Sequence, residues 1–180
     1  MCNRNICFLL ASFTAAYLAS VKPALANPSL TLTSPAFANN GHIPVKFSCN
    51  GDNVSPALDW SGAPPSTRSF VLIVKDPDAP LGTFHHWIIF DIPASVASLP
   101  EGVPPNPNTA FGATQGLNDS GTIGYTGPCP PHGKDHHYHF HLYALDRRLG
   151  LSSNADDSQV EAAMQGHILG QTDLVGIFER

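Results

Sequence analysis

The chain has 180 residues, 42% of them apolar, which suffices for one domain with its own core. Only 13% of residues are charged, with 14 acidic against 9 basic side chains and no run of like charge, which excludes a disordered tail, a coiled coil and a nucleic-acid-binding surface. Seventeen prolines and fifteen glycines, scattered between short apolar runs, argue for a turn-rich β protein over a helical bundle.

Residues 1–26 read as a secretory signal peptide: Arg4, an apolar stretch from Ile6 to Ala19, Lys22-Pro23, and the small-residue site Ala24-Leu25-Ala26. The apolar stretch is shorter than the ~20 residues needed to span a bilayer. Cleavage is expected before Asn27, leaving a single domain over residues 27–180, periplasmic or secreted and without a transmembrane anchor. Cys2 and Cys7 leave with the signal. Cys49 and Cys129 then remain in an oxidising compartment, each beside a Gly- and Pro-rich turn, and the sequence leaves open whether they form a disulfide.

Strands are expected over Ser29 to Ser34, His42 to Phe47, Ala57 to Trp60, Arg68 to Lys75, His86 to Ile92 and His137 to Leu145, where β-branched and aromatic residues concentrate. Phe70 to Val74 and Trp87 to Phe90 are continuously apolar, as in strands covered on both faces. Pro93 to Tyr125 lacks periodicity and reads as a surface excursion. One helix is expected over Asp157 to Leu169, burying Val160, Ala163, Met164, His167 and Ile168, with Ser158 and Glu161 suited to a capping box. Leu174 to Phe178 reads as a closing strand or a docked tail.

Three polar constellations interrupt this scaffold: Asp76-Pro77-Asp78-Ala79-Pro80, His85-His86-Trp87, and Gly127-Pro128-Cys129-Pro130-Pro131-His132-Gly133 followed by His136-His137-Tyr138. The first ends one apolar strand and the second opens the next, so a hairpin-like return is expected to bring carboxylate and imidazole together. Such a pair favours imidazolium, whose outer nitrogen then donates to an anion. Beyond His136 the chain alternates, with His136, Tyr138, Phe140 and Leu142 on one strand face and His137, His139, His141 and Tyr143 on the other. Three histidines at period two suit a transition metal, but the sequence places no carboxylate or cysteine to complete a site, so a solvated polar face is the preferred reading.

In order and spacing, these constellations, together with Ser55-Pro56-Ala57-Leu58-Asp59-Trp60 before them and Tyr143-Ala144-Leu145-Asp146 behind, resemble the signatures of the phosphatidylethanolamine-binding protein family, also called Raf kinase inhibitor protein-like, and within it the bacterial YbhB/YbcL-type branch. The resemblance runs from about Leu30 to Arg180. It implies a mainly β fold of two antiparallel sheets in a Greek-key-like β-sandwich with a short C-terminal helix. It also implies a pocket for phosphate, acetate or a phosphoethanolamine head group, no catalytic activity and no cofactor. Carried over residue by residue, the ligand-binding positions are Asp76, Asp78, His86, His136 and Tyr138, with Gly127, Cys129 and Pro130 in the wall. Family members act as binding proteins, regulators or inhibitors of kinases and proteases, so a protein partner is a further implication. Two positions depart from the family pattern: His137 stands where an Arg is usual, and His132 follows the Pro-rich turn. The alternative reading is a hydrolase in the same pocket, either Cys–His, using Cys129 with His86 or His136, or Asp–His.

Overall fold

Period-two burial organises the chain from Thr31 onward, as a sequence of short β-branched and aromatic segments dictates. The computed structural model describes residues 29–180, so the expected signal peptide and cleavage site lie outside the described residues. The strands are β1 (Thr31–Thr33), β2 (Gly41–His42), β3 (Leu58–Ser61), β4 (Ser69–Asp76), β5 (Phe84–Pro93), β6 (Ser98–Leu99), β7 (Thr114–Gln115), β8 (His136–Leu145) and β9 (Ile168–Phe178). One helix, α1 (Asp157–Met164), precedes β9. Among the described residues, no helix is long and apolar enough to cross a membrane.

The strands form a three-stranded sheet, β1-β3-β6, and a six-stranded sheet, β2-β9-β8-β4-β5-β7. Leu32, Leu58, Trp60 and Leu99 of the smaller sheet pack against Phe70, Leu72, Val74, Trp87, Ile89, Phe140 and Leu142 of the larger. On the other face of the larger sheet, Val71, Ile73, Ile88 and Phe90 pack with Val160 and Met164 of α1. The two continuous apolar runs are therefore the central strands β4 and β5, covered on both faces as expected. Each such side chain taken fully out of water stabilises the fold by roughly 1.5–3 kcal/mol.

Four local expectations are corrected. The sheets are antiparallel except where β2 pairs with β9 in parallel; a parallel pair needs a long connection, and the rest of the domain supplies it. His42 to Phe47 is not one strand, because Pro44 has no N–H to donate to a ladder, and Val45–Phe47 coils into a 3₁₀ turn that buries Phe47. The helix ends at Met164 rather than Leu169, and Gly166, at φ 79°, turns the chain into β9. Its capping box uses Asp156 and Gln159 instead of Ser158 and Glu161: Gln159 N donates to Asp156 Oδ1 at 2.9 Å and Asp156 N donates to Gln159 Oε1 at 3.2 Å. Cys49 and Cys129, whose pairing the sequence left open, are joined by a disulfide, with their Cα atoms 5.4 Å apart.

Candidate functional site

β4 and β8 are antiparallel neighbours, with Val74 opposite Phe140 and Lys75 opposite His139. Alternation from the core residues Val74 and Phe140 puts Asp76, Tyr138 and His136 on the inner face, at the end of the sheet where apolar packing stops. There His136 Nδ1–H donates to Asp76 Oδ2 at 2.7 Å, while Asp78 N–H donates to Asp76 Oδ1 at 2.8 Å. Asp76 and His136 are both buried. A carboxylate only accepts, so this pairing fixes the ring proton on Nδ1 and leaves Nε2 as the remaining polar atom of the His136 ring.

His86 reaches the same place by a backbone irregularity. Along β5, Trp87 pairs with Val74 and His85 with Lys75, so His86 is an extra residue with no opposite number on β4. Strict alternation would send His86 to the helix side with Ile88. The bulge instead puts it beside Trp87 on the inner face, its ring 5.2 Å from Tyr138 in an edge-on contact and 4.8 Å from Phe84. His85 turns outward to Asp119, at 3.0 Å, and to Asp157 of α1, at 3.5 Å. The hairpin therefore does not join Asp76 to His86 as expected; the carboxylate's imidazole partner comes from β8.

A loop laced by Asn118 supplies the facing wall. Asn118 Oδ1 accepts from Ser120 N and Thr122 N, and its Nδ2 donates to Gly124 O and Thr126 Oγ1. Thr126 N donates to His86 O at 2.9 Å, and His86 Nδ1–H donates back to Thr126 O at 2.8 Å. Gly127 follows, its N–H donating to Asn53 Oδ1 at 2.7 Å. A Cβ at Gly127 would stand 2.3 Å from Phe47 O, so only glycine allows this approach. Because the Gly127 amide is spent on Asn53 and Pro128, Pro130 and Pro131 have none, the turn offers a ligand only the Cys129 amide.

These segments enclose a cavity of about 220 Å³. Asp76, His86, Gly127, Cys129, Pro130, His136 and Tyr138 line it, with Ala79, Pro80 and Pro131 of the same constellations and Phe84, Ser120 and Thr126, which sequence reasoning did not single out. Asp78 is not in the lining: its carboxylate accepts from His137 N at 2.9 Å and from His137 Nδ1 at 2.8 Å, on the exposed rim. That pairing holds the Asp78 carboxyl below the usual carboxylate range. Tyr138 is 1% exposed, and its hydroxyl lies near the Asp76 carboxylate without making a hydrogen bond of normal distance and angle to any described residue. Burial, with Asp76 and Asp78 nearby, drives that phenol far above the ordinary tyrosine range, so it stays a neutral donor.

Burial also pushes His86 below the ordinary histidine value, against the opposing pull of the Thr126 carbonyl, Asp76 and Asp119. At neutral pH its Nδ1 carries the proton held on Thr126 and its Nε2 offers a lone pair; the favouring of imidazolium expected of an Asp–His pair does not extend to His86, whose partner is a carbonyl and not a carboxylate. The site therefore combines one orphaned hydroxyl donor with two ring Nε2 atoms that accept when neutral and donate when protonated. Cys129 Sγ is bonded to Cys49, so it provides no thiolate and the Cys–His hydrolase reading has no nucleophile. Elsewhere, two clusters combine imidazole with carboxylate in a way that suits a metal: His139, His141 and Asp173, and His85, Asp119 and Asp157.

Comparison with known proteins agrees with this architecture. Residues 33–179 match the family model described as phosphatidylethanolamine-binding protein. A UPF0098 protein of Methanothermobacter thermautotrophicus is 46% identical over 151 residues, covering 84% of this chain and 99% of the relative. A crystal structure of a phosphatidylethanolamine-binding protein homolog from Chlamydia trachomatis superposes with a TM-score of 0.78 at 40% identity, covering 85% of this chain and 99% of that one. E. coli YbcL, described as a member of the mammalian PEBP family, gives a TM-score of 0.78 at 32% identity over 84% of this chain and 99% of its own.

Proposed function

We propose that this chain, which belongs to the phosphatidylethanolamine-binding protein family, is a binding protein whose cavity takes a small oxyanion of the phosphate class, either free or as the head group of phosphoethanolamine. The observation that carries this reading is the Tyr138 hydroxyl, buried without a partner beside the two imidazoles whose Nδ1 atoms are already committed. A buried hydroxyl left unpaired costs about 1–3 kcal/mol, and an oxygen acceptor in the cavity recovers it. A hydrogen phosphate or phosphomonoester monoanion matches the rest, because its own P–OH donates to a neutral Nε2 while its other oxygens accept from Tyr138 and from any protonated ring. The fit is of polar atoms to polar atoms, with Phe84 and the prolines excluding water around them. Export to the periplasm or beyond accompanies this reading, supported by the apolar leader ending in Ala24-Leu25-Ala26 and by a disulfide that persists in an oxidising compartment. Action on a protein partner, such as a kinase or protease, belongs to the same proposal, with the occupied cavity mouth as the contact surface.

The test is isothermal titration calorimetry with inorganic phosphate, phosphoethanolamine and a permanently charged alkyl sulfonate. Loss of one charge-assisted hydrogen bond is worth about 1.5–3 kcal/mol, so His86→Ala and His136→Ala are expected to weaken binding roughly ten- to a hundred-fold. His139→Ala, on the opposite face of β8, is expected to leave it unchanged. Wild-type affinity in both cavity variants overturns the proposal. The ratio of phosphate to phosphoethanolamine affinity separates a free-anion site from a head-group site.

A further inference from the structure

The outer face of β8 carries polar chemistry that the cavity does not use. His139 and His141 follow one another there at period two, their rings stacked with centroids 5.5 Å apart and planes 12° from parallel. β9 runs alongside and sets Asp173 directly opposite His141. The carboxylate bridges both rings, with Oδ2 2.7 Å from His139 Nδ1 and Oδ1 3.5 Å from His141 Nδ1. One candidate ligand atom from each of the three residues lies within 4.8 Å of the other two. All three side chains are a quarter to a third exposed and border an open depression with Lys75, Pro77 and Thr83. This is the carboxylate that the sequence alone did not supply to the histidine face.

From this arrangement we infer that His139, His141 and Asp173 form a binding site for a divalent transition ion of the copper–zinc class. Two imidazoles with one carboxylate favour such ions over calcium or magnesium, which prefer all-oxygen shells. Zinc bonds to nitrogen and oxygen of about 2.0–2.2 Å place tetrahedral ligand atoms roughly 3.4 Å apart. The His141–Asp173 edge, at 3.5 Å, already matches that spacing and the His139–Asp173 edge, at 2.7 Å, has to open slightly, which partly exposed side chains on paired strands achieve by rotation about χ1 and χ2. On loading, the His139 Nδ1 proton moves to Nε2, and the Nδ1 lone pair goes to the ion in place of the hydrogen bond to Asp173. Asp173 neutralises one of the two positive charges; Lys75 opposes the ion, but its ammonium lies 3.7 Å from Glu161, which offsets it. Three protein ligands leave coordination positions for water or an outside donor, so the ion is exchangeable rather than sealed into the fold. The cluster of His85, Asp119 and Asp157 has one imidazole whose two nitrogens each face a carboxylate, an arrangement that ties α1 to the neighbouring loop without needing an ion.

The experiment is titration of tag-free, chelator-treated protein with Zn²⁺ and with Cu²⁺ by calorimetry, alongside electron paramagnetic resonance of the Cu²⁺ form. One ion per chain at micromolar affinity is expected, with hyperfine splitting from two nitrogens. His139→Ala and His141→Ala are each expected to weaken binding by about tenfold or more and Asp173→Asn by severalfold, while His137→Ala and His85→Ala retain it. No binding at micromolar ion overturns the inference. So does affinity unchanged in His141→Ala or Asp173→Asn, a loss in His85→Ala instead, or a wild-type spectrum without two-nitrogen splitting, a result that does not depend on any variant folding.

Discussion

Removing the Cys49–Cys129 disulfide tests how the cavity wall is held. The bond joins residues 80 apart in sequence. In the loop-closure account, a cross-link of that span removes roughly 15 cal/mol/K of entropy from the unfolded chain, or about 4.5 kcal/mol at 25 °C. Over about 150 residues, an unfolding entropy of about 2.1 cal/mol/K per residue makes each degree of Tm worth roughly 0.3 kcal/mol. The Cys49→Ala/Cys129→Ala variant is therefore expected to melt about 10–18 °C below the oxidised protein, with reduced wild type falling by a similar amount. The wall itself keeps other ties, since Cys49 N donates to Pro128 O at 3.0 Å and Gly127 N to Asn53 Oδ1 at 2.7 Å. Anion affinity is accordingly expected to fall less than in His86→Ala. Differential scanning calorimetry measures the shift and titration with a thiol reagent reports the bond. A Tm change below about 3 °C refutes the loop-closure reasoning, because it is several times smaller than the entropy argument allows.

Asp76→Asn keeps the shape of the buried side chain but removes one acceptor oxygen from two donors, Asp78 N–H and His136 Nδ1–H. A cost of about 3 kcal/mol is expected as a lower midpoint in urea at constant slope, and unchanged stability contradicts the pairing. His86 is held below its ordinary value of 6.5 by burial, so below that pH the unfolded chain binds a proton that the folded one resists. Its stabilising contribution is complete above 6.5 and is lost as pH falls from there to the lowered native value. The unfolding midpoint of wild type is expected to drop more steeply over that window than that of His86→Gln, and parallel slopes reject the account.

What the sequence made legible was whatever depends on period. The apolar runs at Phe70 to Val74 and Trp87 to Phe90 marked doubly covered strands, and the alternation from His136 to Tyr143 assigned two faces that the burial pattern of β8 reproduces over those residues. What depends on a break in period was hidden. No local signal distinguishes His86 from the alternating residues around it, yet one extra residue against β4 moves its ring from the helix side to the cavity. Partners across long separations were equally hidden: Asp76 lies 60 residues from His136 and Asp173 lies 34 from His139. A hairpin is the simplest way to join neighbouring strands, so it pointed Asp76 toward β5. The true partner came from β8, on the other side of β4, because strand order is set by packing of the whole sheet.

The position of β9 has a consequence for how the molecule is made. β9 pairs along β8 from Leu145 back to His136, whose opposite number is Phe178. In a chain delivered from its N-terminus, residues 49 through 145 come before β9, so β4, β5, both cysteines and the entire cavity lining are present while one edge of β8 is still bare. Until β9 pairs, that edge presents unpaired backbone groups to any passing strand, and chaperone protection matters most during this interval. β9 then locks the segment that carries His136. The anion binding proposed for the cavity is therefore expected only once β9 has paired with β8.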